Sequence, residues 1–335
     1  MTTLGVIGLG RIGAFHVDTL SGLHSVDGLV VTDERPDVVA AVAAKHGAKP
    51  VDSVDALLAS GVDGVVVSAA TPAHAELTLA AIERGLPTFC EKPIAATAAE
   101  SARVAAVIAR SGVPVQVGYQ RRFDAAFAAV KGAVDDGSLG LLHTVRSTTM
   151  DPAPPPMDYI AGSGGIFRDC AVHDFDVIRW VTGQQAVEVY ATGSVQGDPL
   201  FGEYGDVDTA AVVVTFDRGT LGVVSAARYN GHGYDCRLEV HGFADTVVAG
   251  WDQGVPVRNA DPGNEFPSGP PHNFFMDRFT DAFRAELAAF VDVVNGAAAP
   301  AVTVADAVEV AWLAEAATES LQRRTPVRVE EVKSR

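Results

Sequence analysis

The chain has 335 residues, with 25 basic against 42 acidic side chains and a formal charge of −17 at pH 7. That length suffices for two domains with buried cores, and the negative charge argues against nucleic acid or an anionic membrane as the main partner. Cys90, Cys170 and Cys236 lie far apart and form neither a C-x-x-C pair nor an obvious disulfide pattern, so a reducing, cytoplasmic setting suits them and no metal site is expected.

The first predicted element is an apolar strand that ends at Gly8. Gly8, Gly10 and Gly13 then fit G-x-G-x-x-G where that strand turns into a helix, a turn that aims backbone N–H groups and a helix N-terminus at a pyrophosphate. With Arg11 and Ile12 between the glycines, the whole turn is a candidate cofactor cradle; a glycine turn that only joins strand to helix is the alternative. A second strand, 28–32, ends at Asp33, where a carboxylate accepts from the adenosine ribose and disfavours NADP. Arg35 keeps NADP open, since its guanidinium can hold a 2′-phosphate or stack on adenine.

Up to about residue 120, short β-branched runs alternate with Ala-rich helical patterns, as in a doubly wound parallel sheet. Further strands are expected near 49–51, 64–68, 87–90 and 113–118. Two strand ends stand out. In the first, Ala69, Thr71 and Pro72 would let a cofactor lie flat, and His74 falls in the first helical turn, where an incidental surface histidine reads equally well. In the second, Glu91 and Lys92 precede Pro93: charged groups at a buried strand end need a use or a partner, or the strand end is at the surface.

After Gly118 the alternation stops. Arg121-Arg122-Phe123-Asp124 leads into a helix to about Asp136, followed by a long strand over 139–150 and a Pro-rich loop from Asp151 to Pro156. A glycine start at 163–165 opens an amphipathic helix running to Trp180. Asp169 and His173, four apart, are expected on one face of it, with Asp176 a turn further. By itself such a pair is either an oriented imidazole or a surface ion pair. From 187 to 248 alternating strands predict a mostly antiparallel sheet, one face covered by the Asp169 helix and the other open for pairing between subunits. Arg228 to Asp235 is a glycine-rich turn or a substrate rim. Helices over 274–294 and 304–322 and a short strand over 327–329 complete the pattern.

With Glu91-Lys92-Pro93, Gly164-Gly165 through Asp169, and His173-Asp174-Phe175-Asp176 added to the glycine turn, the chain resembles the Gfo/Idh/MocA oxidoreductases along nearly its full length. Within them it is most similar to the inositol 2-dehydrogenases; Arg121 to Asp124, and Gly233-Tyr234-Asp235 before a strand carrying Glu239, add to the likeness. The resemblance implies an α/β fold with a Rossmann domain in residues 1–120. It implies a C-terminal α+β domain in 121–335, with a large, mostly antiparallel open sheet and last helices packing back toward the first domain. It further implies a homodimer or homotetramer through that sheet. By the same likeness Lys92 matches the catalytic lysine, with Pro93 commonly cis, and Asp169 and His173 match the Asp-x-x-x-His pair.

The expected reaction is oxidation of a secondary hydroxyl on a cyclic polyol or sugar with NAD. His173 would act as base, Asp169 would orient it, Lys92 would donate to the reacting oxygen, and Arg122, Asp151, Asp176 and Tyr234 would hold substrate hydroxyls. Asp151 and the segment 229–233 fall at specificity positions. Alternatives are a redox-neutral enzyme with tightly held NAD, an NADPH-dependent sugar reductase, and a non-catalytic cofactor-sensing regulator.

Overall fold

The first group of β-branched runs folds into the parallel strands β1 (Thr3–Ile7), β2 (Gly28–Thr32), β3 (Lys49–Pro50), β4 (Gly64–Val67), β5 (Thr88–Glu91) and β6 (Val115–Gly118). The computed structural model describes residues 1–334. These six strands hydrogen-bond in the order β3-β2-β1-β4-β5-β6. Every residue of β4 is buried, as a strand covered on both faces must be, which is why its sequence is a continuous valine run. The order reverses between β1 and β4, and the crevice at the carboxyl ends beside such a reversal is where ligands of this sheet type bind.

The chain divides into two compact units, one of Met1–Gln120 with Asp281–Glu309 and one of Arg121–Thr280 with the chain from Val310 onward. The second segment of the first unit has a physical reason. Helix Thr280–Val294 inserts Leu287, Phe290 and Val291 into the same core as Leu4, Val6, Val31, Val66 and Phe89. Backbone bonds add to it, from Val117 N–H to the Val302 carbonyl at 3.1 Å. The helix expected over 274–294 is in fact two, Phe275–Arg278 and Thr280–Val294. They are separated at the fully buried Phe279, over whose ring the Arg278 guanidinium stacks at 4.7 Å.

The second unit is built on β7 (Leu142–Met150), β8 (Ala186–Ser194), β9 (Thr209–Phe216), β10 (Leu221–Ala227), β11 (Asp235–Gly242), β12 (Thr246–Ala249) and β13 (Val327–Arg328). They lie in the order β12-β11-β7-β10-β9-β8-β13, antiparallel except for the β7–β10 pair. Along β9 exposed and buried residues alternate, so one face is core and the other is not. The core face packs on helix Val172–Thr182, where Phe175, Val177 and Ile178 are fully buried. The strand expected over 327–329 stops at Arg328, and Val329–Lys333 is helical. Among the described residues no helix is long and apolar enough to cross a membrane.

Candidate active site

In the first unit the glycine turn has the shape its composition predicts. Gly8 has φ +89°, and a Cβ there would come within 2.5 Å of the Ala69 backbone; a Cβ on Gly13 would collide with the Gly8 carbonyl oxygen. Gly10, the N-cap of helix Arg11–Ser21, has no side-chain cap, and a Cβ on it would meet nothing within 4 Å. A close backbone turn, an uncapped helix start and open space at the middle glycine together fit a pyrophosphate. Arg11 is exposed and Ile12 partly so.

Asp33, at the end of β2, accepts from the Leu9 N–H at 2.6 Å and from Arg35 Nε at 2.9 Å and Nη2 at 3.2 Å. Burial raises its pKa, but the Arg35 side chain and the Leu9 and Arg35 amides outweigh that and hold the carboxyl below its usual range. It is therefore charged at neutral pH, suited to a ribose diol and repelling a 2′-phosphate. Arg35, which kept NADP open, lies against Asp33.

Ala69, Thr71 and Pro72 form the partly exposed loop and first turn after β4. His74 and Glu91, both expected at the cofactor, are placed otherwise. His74 is only 2% exposed, and its Nδ1 and Nε2 face the carbonyls of Pro93 at 2.8 Å and Ala69 at 2.9 Å; with both nitrogens engaged it has none to offer a ligand. The Glu91 carboxylate turns to His16, Oε1 to Nε2 2.6 Å. Lys92 follows at the carboxyl end of β5, partly exposed, and the Lys92–Pro93 peptide is cis.

In the second unit the helix expected to run unbroken from the glycines to Trp180 is interrupted. Ile166–Asp169 ends at Cys170, Val172–Thr182 follows, and the His173 N–H bonds the Cys170 carbonyl rather than that of Asp169. Asp169 thus closes one helix while His173 opens the next. The Asp169 carboxylate accepts from Arg228 Nη2 at 2.7 Å and from the Tyr159 hydroxyl at 2.8 Å. Arg228 also donates through Nη1 to Asp151 at 3.2 Å and is 3% exposed. Burial lowers the Arg228 pKa, but Cys170, Asp169 and Asp151 more than reverse this, so it stays charged. Burial, opposed by Arg228 and reinforced by Asp169, lifts the Asp151 carboxyl above its usual range. Sequence reasoning had Arg228 only as the first residue of a glycine-rich turn or substrate rim, gave it no carboxylate partners, and missed Tyr159. A lone arginine after a strand and a tyrosine in a short helix carry no local signal of their partners.

Three residues expected to hold substrate hydroxyls face inward. Asp176 is fully buried and gripped by Arg122 through Nη2 at 2.5 Å and Nε at 2.9 Å. A buried carboxylate saturated by a guanidinium is a structural pair, since both charges must find partners once out of water. Tyr234 is 3% exposed, its ring 6.3 Å from Phe279, and burial beside Cys236 pushes its phenol well above the usual range. Asp151, by contrast, is partly exposed beside Asp169 and His173 is partly exposed. Among the described residues no group of three or more His, Cys, Asp or Glu side chains is placed to hold a metal ion.

Two family models cover most of the chain. Residues 2–119 match an oxidoreductase family, NAD-binding Rossmann fold, and residues 127–248 match the GFO/IDH/MocA C-terminal domain. The chain belongs to the Gfo/Idh/MocA oxidoreductases. Among its relatives in that family, the myo-inositol 2-dehydrogenase of Thermotoga maritima is 38% identical over 341 residues, covering 98% of this chain and 99% of the relative. The myo-inositol dehydrogenase of Corynebacterium glutamicum superposes with a TM-score of 0.90 at 33% identity, covering 98% of each chain. The scyllo-inositol dehydrogenase of Lactobacillus casei, solved with NAD(H) and scyllo-inositol, superposes with a TM-score of 0.88 at 26% identity, covering 98% of this chain and 99% of that one. As a Gfo/Idh/MocA member the chain is an oxidoreductase whose first unit is an NAD-binding Rossmann domain.

Proposed function

We propose that this protein is an NAD-dependent dehydrogenase that oxidises one secondary hydroxyl of an inositol, myo- or scyllo-, to a ketone. The observation that carries the proposal is the match to myo-inositol 2-dehydrogenase along 98% of the chain, supported by the glycine cradle, charged Asp33 and a lysine at the carboxyl end of β5. Gly8, Gly10, Gly13 and Asp33 would hold the dinucleotide, with Ala69, Thr71 and Pro72 along one side. When bound, NAD⁺ supplies a two-electron acceptor, so the balance is alcohol plus NAD⁺ to ketone, NADH and a proton.

The chain supplies the acid–base chemistry. His173 accepts the hydroxyl proton and Lys92 donates a hydrogen bond to the oxygen as it gains negative character. Asp169, its carboxylate fixed by Arg228 and Tyr159, provides the negative charge that stabilises an imidazolium. Asp151, tied to the same guanidinium, is the residue we assign to substrate hydroxyls.

The test is NADH formation, followed by its absorbance, with inositols, hexoses and anhydrosugars against NAD and NADP. An inositol with NAD should give turnover, and Lys92→Ala or His173→Ala should lower kcat by ~10² or more while calorimetry still shows NAD binding. A panel without net NADH, or variants with undiminished turnover, overturns the proposal.

A further inference from the structure

Lys92 lies between two residues that are each held by a buried histidine. On its N-terminal side is Glu91, whose Oε1 is 2.6 Å from Nε2 of the fully buried His16. Glu91 pairs in register with Gly118 of β6, and a Cβ at Gly118 would come within 3.1 Å of Glu91 Oε2, so the glycine leaves room for the carboxylate to reach that imidazole. The His16 ring is edge-on to Phe89 at 5.6 Å and to Phe283 at 6.0 Å, which blocks rotation. Its Nδ1 has no hydrogen-bond partner; a proton there would be an orphaned donor, so the ring keeps its proton on Nε2, toward Glu91.

On the C-terminal side is Pro93, whose carbonyl faces His74 Nδ1 at 2.8 Å, while Nε2 of the same ring faces the Ala69 carbonyl at 2.9 Å. A ring between two acceptors satisfies both only when both nitrogens carry hydrogen. Burial opposes that charge, but Cys90 and the two carbonyls outweigh it and push the pKa up to about 9. The Ala69 backbone is also the wall against which Gly8 packs. His16 stands on the helix that starts at the glycine turn.

We propose that His16 and His74 are positioning residues for Lys92, which clamp Glu91 and Pro93 on either side of it and tie the ammonium group to the two chain segments that form the dinucleotide cradle. The proposal rests on reading Lys92 as catalytic. Displacing a reacting group by a fraction of an ångström to 1 Å lowers rates by ~10², so fixing both neighbours of a flexible lysine has a direct kinetic consequence.

The experiment places His16→Gln and His74→Gln in the wild-type and Lys92→Ala backgrounds, each checked for folding by circular dichroism. With Lys92 present, each should lower kcat about tenfold and leave the inositol KM within about threefold; with Lys92 absent, each should change the residual rate less than about twofold. Equal losses in both backgrounds overturn the clamp. A readout free of substrate and cofactor is the rate of Lys92 acetylation by an amine-specific reagent, followed by peptide mass spectrometry in the resting protein. It should change at least about threefold in each variant, because the ammonium's surroundings change; an unchanged rate overturns the clamp even if the inositol reading has failed on its own substrate panel. Should neither variant fold, the ring nitrogens of His74 in the unmutated protein decide by nitrogen-15 NMR: both protonated at neutral pH supports the clamp, one bare nitrogen sinks it.

Discussion

His74 shows at the residue scale how an ionisable group is set by what surrounds it. Its sequence position, in the first turn after a strand end, allowed a cofactor contact or a surface histidine, and burial between two carbonyls makes it neither. With its pKa raised to about 9, against about 6.5 in an unfolded chain, folding binds the proton more tightly. The associated stability is fully present below the unfolded value and is lost as pH rises through the folded one. The scale of that loss is ~3.5 kcal/mol at most, from the linkage of one pKa unit to about 1.4 kcal/mol. Urea midpoints measured between about pH 6 and pH 10 should fall with rising pH, and the fall should be shallower in His74→Gln. Parallel pH profiles in the two proteins would show that His74 does not carry the loss. The same scale contains the inward-facing ion pairs. Arg122, expected at substrate hydroxyls, and its neighbour Arg121 instead bind Asp176 and Asp174 in the interior.

At the scale of the element, the turn from β1 into helix Arg11–Ser21 is the part most fully legible beforehand, because Gly8 and Gly13 answer local steric needs and Gly10 leaves the space a phosphate approaches. Gly13→Ala pushes a methyl group against the Gly8 carbonyl oxygen and Ser68 Oγ; such overpacking against backbone typically costs about 1–3 kcal/mol. The variant should unfold at a lower temperature and bind NAD at least about tenfold more weakly, since the turn must open where it approaches the phosphates. Calorimetry checks the second effect and a thermal melt the first. Helix breaks were not legible. The interruption after Asp169 and the one at Phe279 lie within good amphipathic patterns, and the second falls where a buried ring and a stacked guanidinium take precedence over helical continuity.

For the whole molecule, the open face of the second sheet carries the clearest consequence. Register places Tyr190, Val213, Val223, Arg146, Glu239 and Val248 in one row across six strands, and Tyr190, Val213 and Val248 are exposed. That row, four apolar residues interrupted by the Arg146–Glu239 ion pair, is the surface we propose for self-association into a dimer or tetramer. Val213→Glu should shift the sedimentation coefficient toward the monomer with little change in thermal stability of the separated chain. A wild type that sediments as a monomer across the working concentration range would remove this proposal.

The positions of the strands in the first sheet, the glycine turn, Asp33 and the lysine at the end of β5 were determined by the sequence itself, because alternation, β-branching and glycine sterics act within a few residues and leave a pattern there. Only the tertiary structure decided which residues of the last helices, 281–309, belong to the first unit, that Arg228 joins Asp151 to Asp169, and that two histidines grip the neighbours of Lys92. Those partners stand 19 to 77 residues apart in the chain. A buried charge or ring must pair with whatever the fold brings beside it, and no local pattern records which residue that will be.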